Sequence, residues 1–359
     1  MRFFLRSANS QSVRAGTETG ALPTPDHATF LQPVVTPITW FATARWTNFA
    51  GAASTSSNMA AVSVAKDEIN SALKSMNKYK NSSIFRDGTG ALATVASSAA
   101  ATVITVTGGN IYWFKRRQTV EFYSSGTRVA GPVKLTDVDY LNNTITTDVD
   151  VSGLLTSGEV IYKAGTHSPT NVTNAEWLGF GAMLSATNSY LGVARTDERG
   201  WQAQVLDAGG ADIDEDRVYQ MLERLTTLPG EDIDPSEIDL IINPAQFRKL
   251  FKLVNSRRRY SGSSADAGLK YGDGVEFGGV TPHRDPDCKR DEMLFVPFQV
   301  IQRFTVPGGE QQLDNTGGSV VKWTPNFDAS YAYWKEYSQI ANRSPSNCGR
   351  IHTLATPTA

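Results

Sequence analysis

The chain has 359 residues, 34 Lys+Arg against 36 Asp+Glu, a net charge of −2 and only 19% charged residues. That length exceeds one comfortable core, so two or three lobes are expected, and the balanced charge argues against a protein whose main task is coating a polyanion. Cys288 and Cys348 are too few for a disulfide framework or a Cys-rich zinc site. No run approaches the ~20 apolar residues of a membrane span, and the start is too short for a signal peptide, so a soluble protein made in a reducing cytoplasm is expected.

Residues 1–25 are polar and rich in Gly, Ser and Thr, and read as an extended arm. "PVVTPITWFATARWTNFAGAAS" follows, with Trp40, Phe41, Trp46 and Phe49 close together. Its β-branched and aromatic content predicts a hairpin, and two prolines keep it off any central strand. Burying one aromatic is worth ~1.5–3 kcal/mol, so four of them need either a local core or a neighbouring subunit to cover them.

"AAVSVAKDEINSALKSMNKYKN" repeats Val62, Ala65, Ile69, Leu73, Met76 and Tyr79 at helical spacing, which predicts a helix of ~33 Å ending near Asn81. From Ser83 to about Gly165 the period changes to two, in short runs punctuated by Gly, Asn-Asn and Ser-Gly. Five or six strands there predict a small barrel or sandwich. "DGTGALA" at 87–93 matches a Gly-x-Gly-x-x-small loop only loosely, and it follows a helix rather than a strand, so a dinucleotide site fails its context.

After Trp177 the pattern is α/β. "DIDEDRVYQMLERLTTLPG" opens with acids that suit a helix N-terminus and presents Val218, Met221, Leu222 and Leu225 on one face. "IDLII" reads as a strand. "NPAQFRKLFKLVNSRRRYSG" reads as a helix capped by Asn243, with Pro244 at its first position and Phe247, Leu250, Phe251 and Val254 buried. Arg257, Arg258 and Arg259 fall at its end, where the helix dipole favours positive charge. "DASYAYWKEYSQIA" fits strand or helix.

Chemistry is sparse. There is no Gly-x-Ser-x-Gly elbow, His-Glu-x-x-His or Walker loop among these residues. His283, Asp285, Asp287 and Cys288 match no metal-site spacing and read as a turn. Asp212, Asp214, Glu215 and Asp216 read as a helix start rather than a Ca²⁺ site. No catalytic, cofactor or metal residues are assigned, and a non-enzyme is expected.

The order of parts resembles a tailed-bacteriophage major capsid protein, the Hong Kong phage-type fold. The parts are a polar arm, an aromatic loop, a long helix running into "NSSIFRDGTGALATV", a β insert and an α/β lobe. "NAEWLGFGAMLSATNSYLGVARTDERGWQAQV", "IDLIINPAQFRKLFKL" and the closing "GRIHTL" add to the likeness. The resemblance implies an α+β fold: arm 1–25, extended loop 26–57, spine helix 58–82 and inserted β-barrel or sandwich 83–166. It continues with a peripheral domain at 167–199, an axial domain at 200–322 and a return to the peripheral domain at 323–359. It implies a virion protein assembling into hexamers and pentamers around double-stranded DNA that it encloses without sequence-specific binding. Trp40, Phe41, Trp46 and Phe49 would lie on the next subunit, and Arg257, Arg258 and Arg259 would meet a neighbour's carboxylates. The first lysine is Lys66, on the helix, so a covalent cross-link from the loop has no donor and non-covalent contacts are implied. A portal, a separate scaffolding protein and a decoration protein are the implied partners. An encapsulin-like cargo shell and, from another class, a β-rich adhesin or glycan-binding protein are the alternatives.

Overall fold

The computed structural model describes residues 2, 5–8, 29–48, 61–100, 102–167, 175–196, 198–227, 237–257, 280, 282–316 and 318–356. β1 (Leu5–Ala8) and β2 (Thr29–Leu31) form a small antiparallel pair. β3 (Ile38–Thr47) alternates buried Ile38, Trp40 and Ala44 with exposed Thr39, Phe41, Thr43 and Arg45. Pro33 and Pro37 precede it, where a missing N–H breaks no ladder.

The partner of β3 is not the other half of a hairpin. It is β17 (Ala329–Asn342), paired antiparallel from Thr47 opposite Ala329 to Ile38 opposite Ser338. "DASYAYWKEYSQIA" is therefore strand. The return strand of the hairpin expected in 26–57 would need residues 49–57, which lie outside the described residues; among those described, β3 pairs with β17.

The long helix, α1 (Ala61–Ile84), packs across one face of this ribbon. Trp334 of β17 donates its indole N–H to the Ile69 carbonyl at 3.1 Å. Ser82 and Ser83 donate back to the carbonyls of Tyr79 and Lys80 at 2.8 and 2.7 Å, and the helix runs three residues past Asn81.

Six strands then close a barrel. They are β4 (Ala91–Ala100), β5 (Val103–Thr107), β6 (Thr119–Ser124), β7 (Thr127–Asp139), β8 (Thr144–Thr147) and β9 (Val160–Lys163), in the order β4-β5-β8-β7-β6-β9. Leu92, Ile104, Phe122, Leu135, Ile145 and Ile161 fill the interior. Closure removes the free edges that short strands would otherwise expose. Gly109 is required by space: a Cβ there would lie 1.9 Å from the Leu92 carbonyl oxygen.

The α/β lobe is a five-stranded mixed sheet. β10 (Gln204–Asp207), β18 (Gly349–His352), β13 (Met293–Val296), β11 (Asp239–Ile242) and β12 (Pro282–Arg284) lie side by side in that order. α2 (Glu215–Thr227) buries Val218, Met221, Leu222 and Leu225, the predicted face. α3 (Pro244–Arg257) is capped by Asn243, whose Oδ1 accepts the Ala245 N–H at 3.0 Å.

The sheets cross the expected 322/323 boundary in both directions. β14 (Ile301–Thr305), β15 (Gln312–Leu313) and β16 (Lys322–Trp323) all pair with β17, outside the α/β sheet. β18, from the tail, lies inside that sheet, parallel to β10 and antiparallel to β13. Pairing on both edges of β18 is what draws the last strand away from the ribbon.

The segment "HRDPDCKRDE" is a turn between β12 and β13, and among the described residues no His, Cys, Asp and Glu group is placed to hold a metal. It is a joint. Asn110 of the barrel donates to the Pro286 and Cys288 carbonyls at 2.9 Å each. Trp113 donates to the Asp287 carbonyl at 2.9 Å, and Asn243 donates to the Cys288 carbonyl at 2.8 Å. Asn81 of α1 reaches the Asp287 carboxylate at 3.1 Å. Asn110→Ala removes two of the bonds that hold this turn, leaving the Cys288 carbonyl to Asn243, and is expected to cost about 1–3 kcal/mol, read as a lowered urea midpoint.

Candidate functional site

The β3–β17 ribbon has two faces with opposite fates. On the inner face Trp40 is 6% exposed, its ring edge-on to Trp177 at 5.3 Å and to Tyr79 at 6.0 Å. Opposite Trp40 in register stands Glu336, with no exposed surface. Lys80 of α1 and Ser338 both donate to its carboxylate, and Arg303 of β14 does so at 2.7 Å. Burial pulls the Lys80 ammonium below the usual lysine range, and Glu336 opposes that pull. Trp40, expected on a neighbouring subunit, therefore sits in its own subunit's core, because α1 covers this face.

The "NAEWLGF" stretch clamps the same strand. Trp177 donates to the Ser338 carbonyl at 3.1 Å, and the Leu178 N–H donates to Gln339 Oε1 at 2.9 Å. Beside them Glu176 meets Arg86 at 3.0 Å, both 1% exposed, and Tyr79 donates its hydroxyl to Glu176. Burial pushes the Glu176 carboxyl up and the nearby Arg86 guanidinium holds it back. Gly179 follows because a Cβ there would lie 2.2 Å from the Ile84 carbonyl oxygen.

The outer face is aromatic and uncovered. Phe41 is 60% exposed, with its ring 6.1 Å from Tyr333, which stacks on Tyr331 at 6.4 Å. Arg45 lies 5.5 Å over Phe327, itself 65% exposed; Trp323, in register opposite Ser330 on the Trp46 side of the ribbon, is 71% exposed. Trp46 is half-buried opposite Ser330. Phe49 lies outside the described residues. So do the Arg257 side chain and all of Arg258 and Arg259, although Arg257 is the last residue of α3.

Tyr331, Tyr333, Trp323 and Phe327 were not singled out in the sequence. The available signal was the Tyr-x-Tyr alternation at 331–333, which becomes legible once that segment is read as strand. Lys335, opposite Phe41, and Lys322, opposite Tyr331, bind Asp314 on this same outer face, Lys335 at 2.5 Å, and hold its carboxyl far below the usual carboxylate range.

No protein-family model matches the chain, and no curated protein matches it. Solved structures do. The Cyanophage A-1(L) capsid asymmetric unit aligns over 99% of this chain and 88% of that chain, with a TM-score of 0.58 at 13% identity. The chain has the phage capsid fold. The capsid of an empty GTA particle, computed with C5 symmetry, aligns over 99% of this chain and 85% of that one, with a TM-score of 0.50 at 10% identity. The long helix expected over 58–82 is α1, and the stretch 83–166 expected to be β holds the closed six-stranded barrel.

Adjacent residues should separate the two faces. Trp40→Ala is expected to cost about 3–5 kcal/mol of folding stability, whereas Phe41→Ser should cost about 1 kcal/mol or less, both by urea denaturation of unassembled protein. Asp314 gives a pH test. Its carboxyl is depressed in the folded state, so the unfolded chain binds more protons below pH about 4 and stability falls as acid is added. Asp314→Asn should flatten the melting temperature against pH in that range.

Proposed function

We propose that the chain is the major capsid protein of a tailed bacteriophage, building hexamers and pentamers of an icosahedral shell around double-stranded DNA. The observation that carries this reading is the chain-long likeness to a phage capsid asymmetric unit. The uncovered aromatic side chains support it. A monomer gains nothing by leaving Phe41, Trp323 and Phe327 in water, and a neighbouring subunit would bury each for ~1.5–3 kcal/mol. In this reading the loop carrying Phe41, Trp46 and Phe49 overlaps the next subunit, Trp40 anchors its base, and the 257–259 arginines meet carboxylates of a neighbour within a capsomer.

The role is structural, in the virion, with synthesis in the host cytoplasm. The loop's contacts are non-covalent, since residues 26–57 hold no lysine. A portal, a scaffolding protein and a decoration protein are the further partners of this reading.

Electron microscopy of the purified chain, with light scattering for mass, tests it. Shells, tubes or discrete rings of subunits are expected. Phe41→Ser should raise the concentration needed for assembly about tenfold or more while leaving the subunit folded. A compact 39.0 kDa monomer at high concentration, even with a candidate scaffold added, would overturn the reading.

A further inference from the structure

A cavity of about 310 Å³ opens between α1, the turn before β6 and the end of β9. Five of its ten lining residues are cations and none is an acid: Lys78, Lys115, Arg116, Arg117 and Lys163. Tyr79 and Trp113 supply an apolar wall. Some partly buried cations elsewhere have carboxylate partners, as Lys80 has Glu336 and Lys322 has Asp314, and Arg195 is held by the Trp201, Ala182 and Met183 carbonyls instead. Among the described residues none of these five is in an ion pair. The acids nearest them are engaged otherwise, Glu176 by Arg86 and Tyr79 and Asp287 by Asn81.

The turn that carries three of the cations is rigidly set. The Arg117 N–H donates to the Leu135 carbonyl at 2.9 Å, and the Leu135 N–H returns a bond to the Gln118 carbonyl at 2.8 Å. Gln118 Oε1 accepts the Lys115 N–H at 2.8 Å. Arg117 is held at φ 69°, a left-handed conformation that non-glycine residues adopt at some cost. Burial also draws Lys115 and Lys163 below the usual lysine range; Lys78 adds to the effect at Lys115, while Asp287 opposes it there and Glu176 opposes it at Lys163. The cavity is thus preorganised and electropositive: Lys115 donates to the Tyr112 carbonyl, Arg116 to the Thr136 carbonyl at 2.8 Å, Lys163 lies 4.1 Å over the Tyr79 ring, and no carboxylate is in the lining.

We infer that this cavity is a phosphate-binding site and that its ligand is the backbone of nucleic acid. A carboxylate side chain brings one charge, whereas duplex DNA presents one charge per ~1.7 Å, a density that five converging cations match. Contacts of this kind position a backbone without reading sequence. A single local site is also compatible with a chain of net charge −2.

The test uses the full chain, unassembled, so it succeeds or fails independently of shell formation. Fluorescence anisotropy with a labelled DNA duplex is followed across a salt series. R116Q/R117Q should weaken binding about tenfold or more and flatten the log K against log salt slope by about two, and K78Q should flatten it by about one. Lys78 stands exposed on α1, so K78Q provides a second readout if the turn variant misfolds. Binding unchanged in both variants would overturn the inference, as would a loss confined to R257A/R258A/R259A. Binding of pyrophosphate without duplex would keep the phosphate chemistry and overturn the nucleic-acid source. Binding of polyglutamate without either would assign the cavity to an acidic protein partner instead.

Discussion

Glu336 carries a carboxylate into the middle of a strand with none of its surface exposed, and Lys80, Arg303 and Ser338 converge on it from a helix, a neighbouring strand and its own strand. A buried charge that loses one partner costs about 3–5 kcal/mol, so this arrangement leaves little freedom. A slip of one residue along β3 would turn Glu336, with Ser338 beside it, to the opposite face and away from Lys80 of α1. Its position therefore fixes the register of the ribbon. The register decides that Trp40 and Trp334 face α1 while Phe41, Tyr331 and Tyr333 face away. Both the subunit's core and its uncovered surface follow from where one carboxylate is neutralised.

Elements held by local rules were legible in the sequence. The face of α2, the Asn243 cap with Pro244, and the period-two insert all rest on spacing and turn chemistry within a few residues. The ribbon was not legible, because its two strands lie at opposite ends of the chain and no local pattern couples them. The segment 329–342 was ambiguous for a physical reason: as a strand it is aromatic on both faces, with Trp334 inside and Tyr331 and Tyr333 outside, so it lacks a clean apolar alternation. The same limit applied to the candidate surface. Trp40 and Phe41 looked alike as neighbours, and only the pairing across to Glu336 and Lys335 separates them. The cationic cavity was hidden differently. Lys78, the 115–117 turn and Lys163 come from three segments, so no local run of the sequence marks the cavity.

The turn between β12 and β13 gives the molecule its coherence across lobes. Its carbonyls are shared out among a barrel asparagine, a barrel tryptophan and the asparagine that caps α3, and its Asp287 carboxylate is reached from the end of α1. A cluster of His, Asp and Cys that invites a metal reading is in fact a set of backbone acceptors held in one conformation by side-chain donors from elsewhere. Cys288 is wholly buried there, and burial pushes its thiol well above the usual range, which suits an inert packing role.

The barrel begins and ends at one point: a Cβ on Gly90 would lie only 3.8 Å from Thr166 Oγ1. Its hydrogen-bonded ties to the turn run through the side chains of Asn110 and Trp113, and through Arg290 of the turn, which donates to the Tyr140 carbonyl at 2.9 Å and the Tyr112 hydroxyl at 3.4 Å. The insert is thus a cassette whose hydrogen-bonded ties to the α/β lobe gather at one turn. Its size, strand count and outward loops can diverge freely, or be exchanged for foreign sequence, while the ribbon and the α/β sheet keep their geometry.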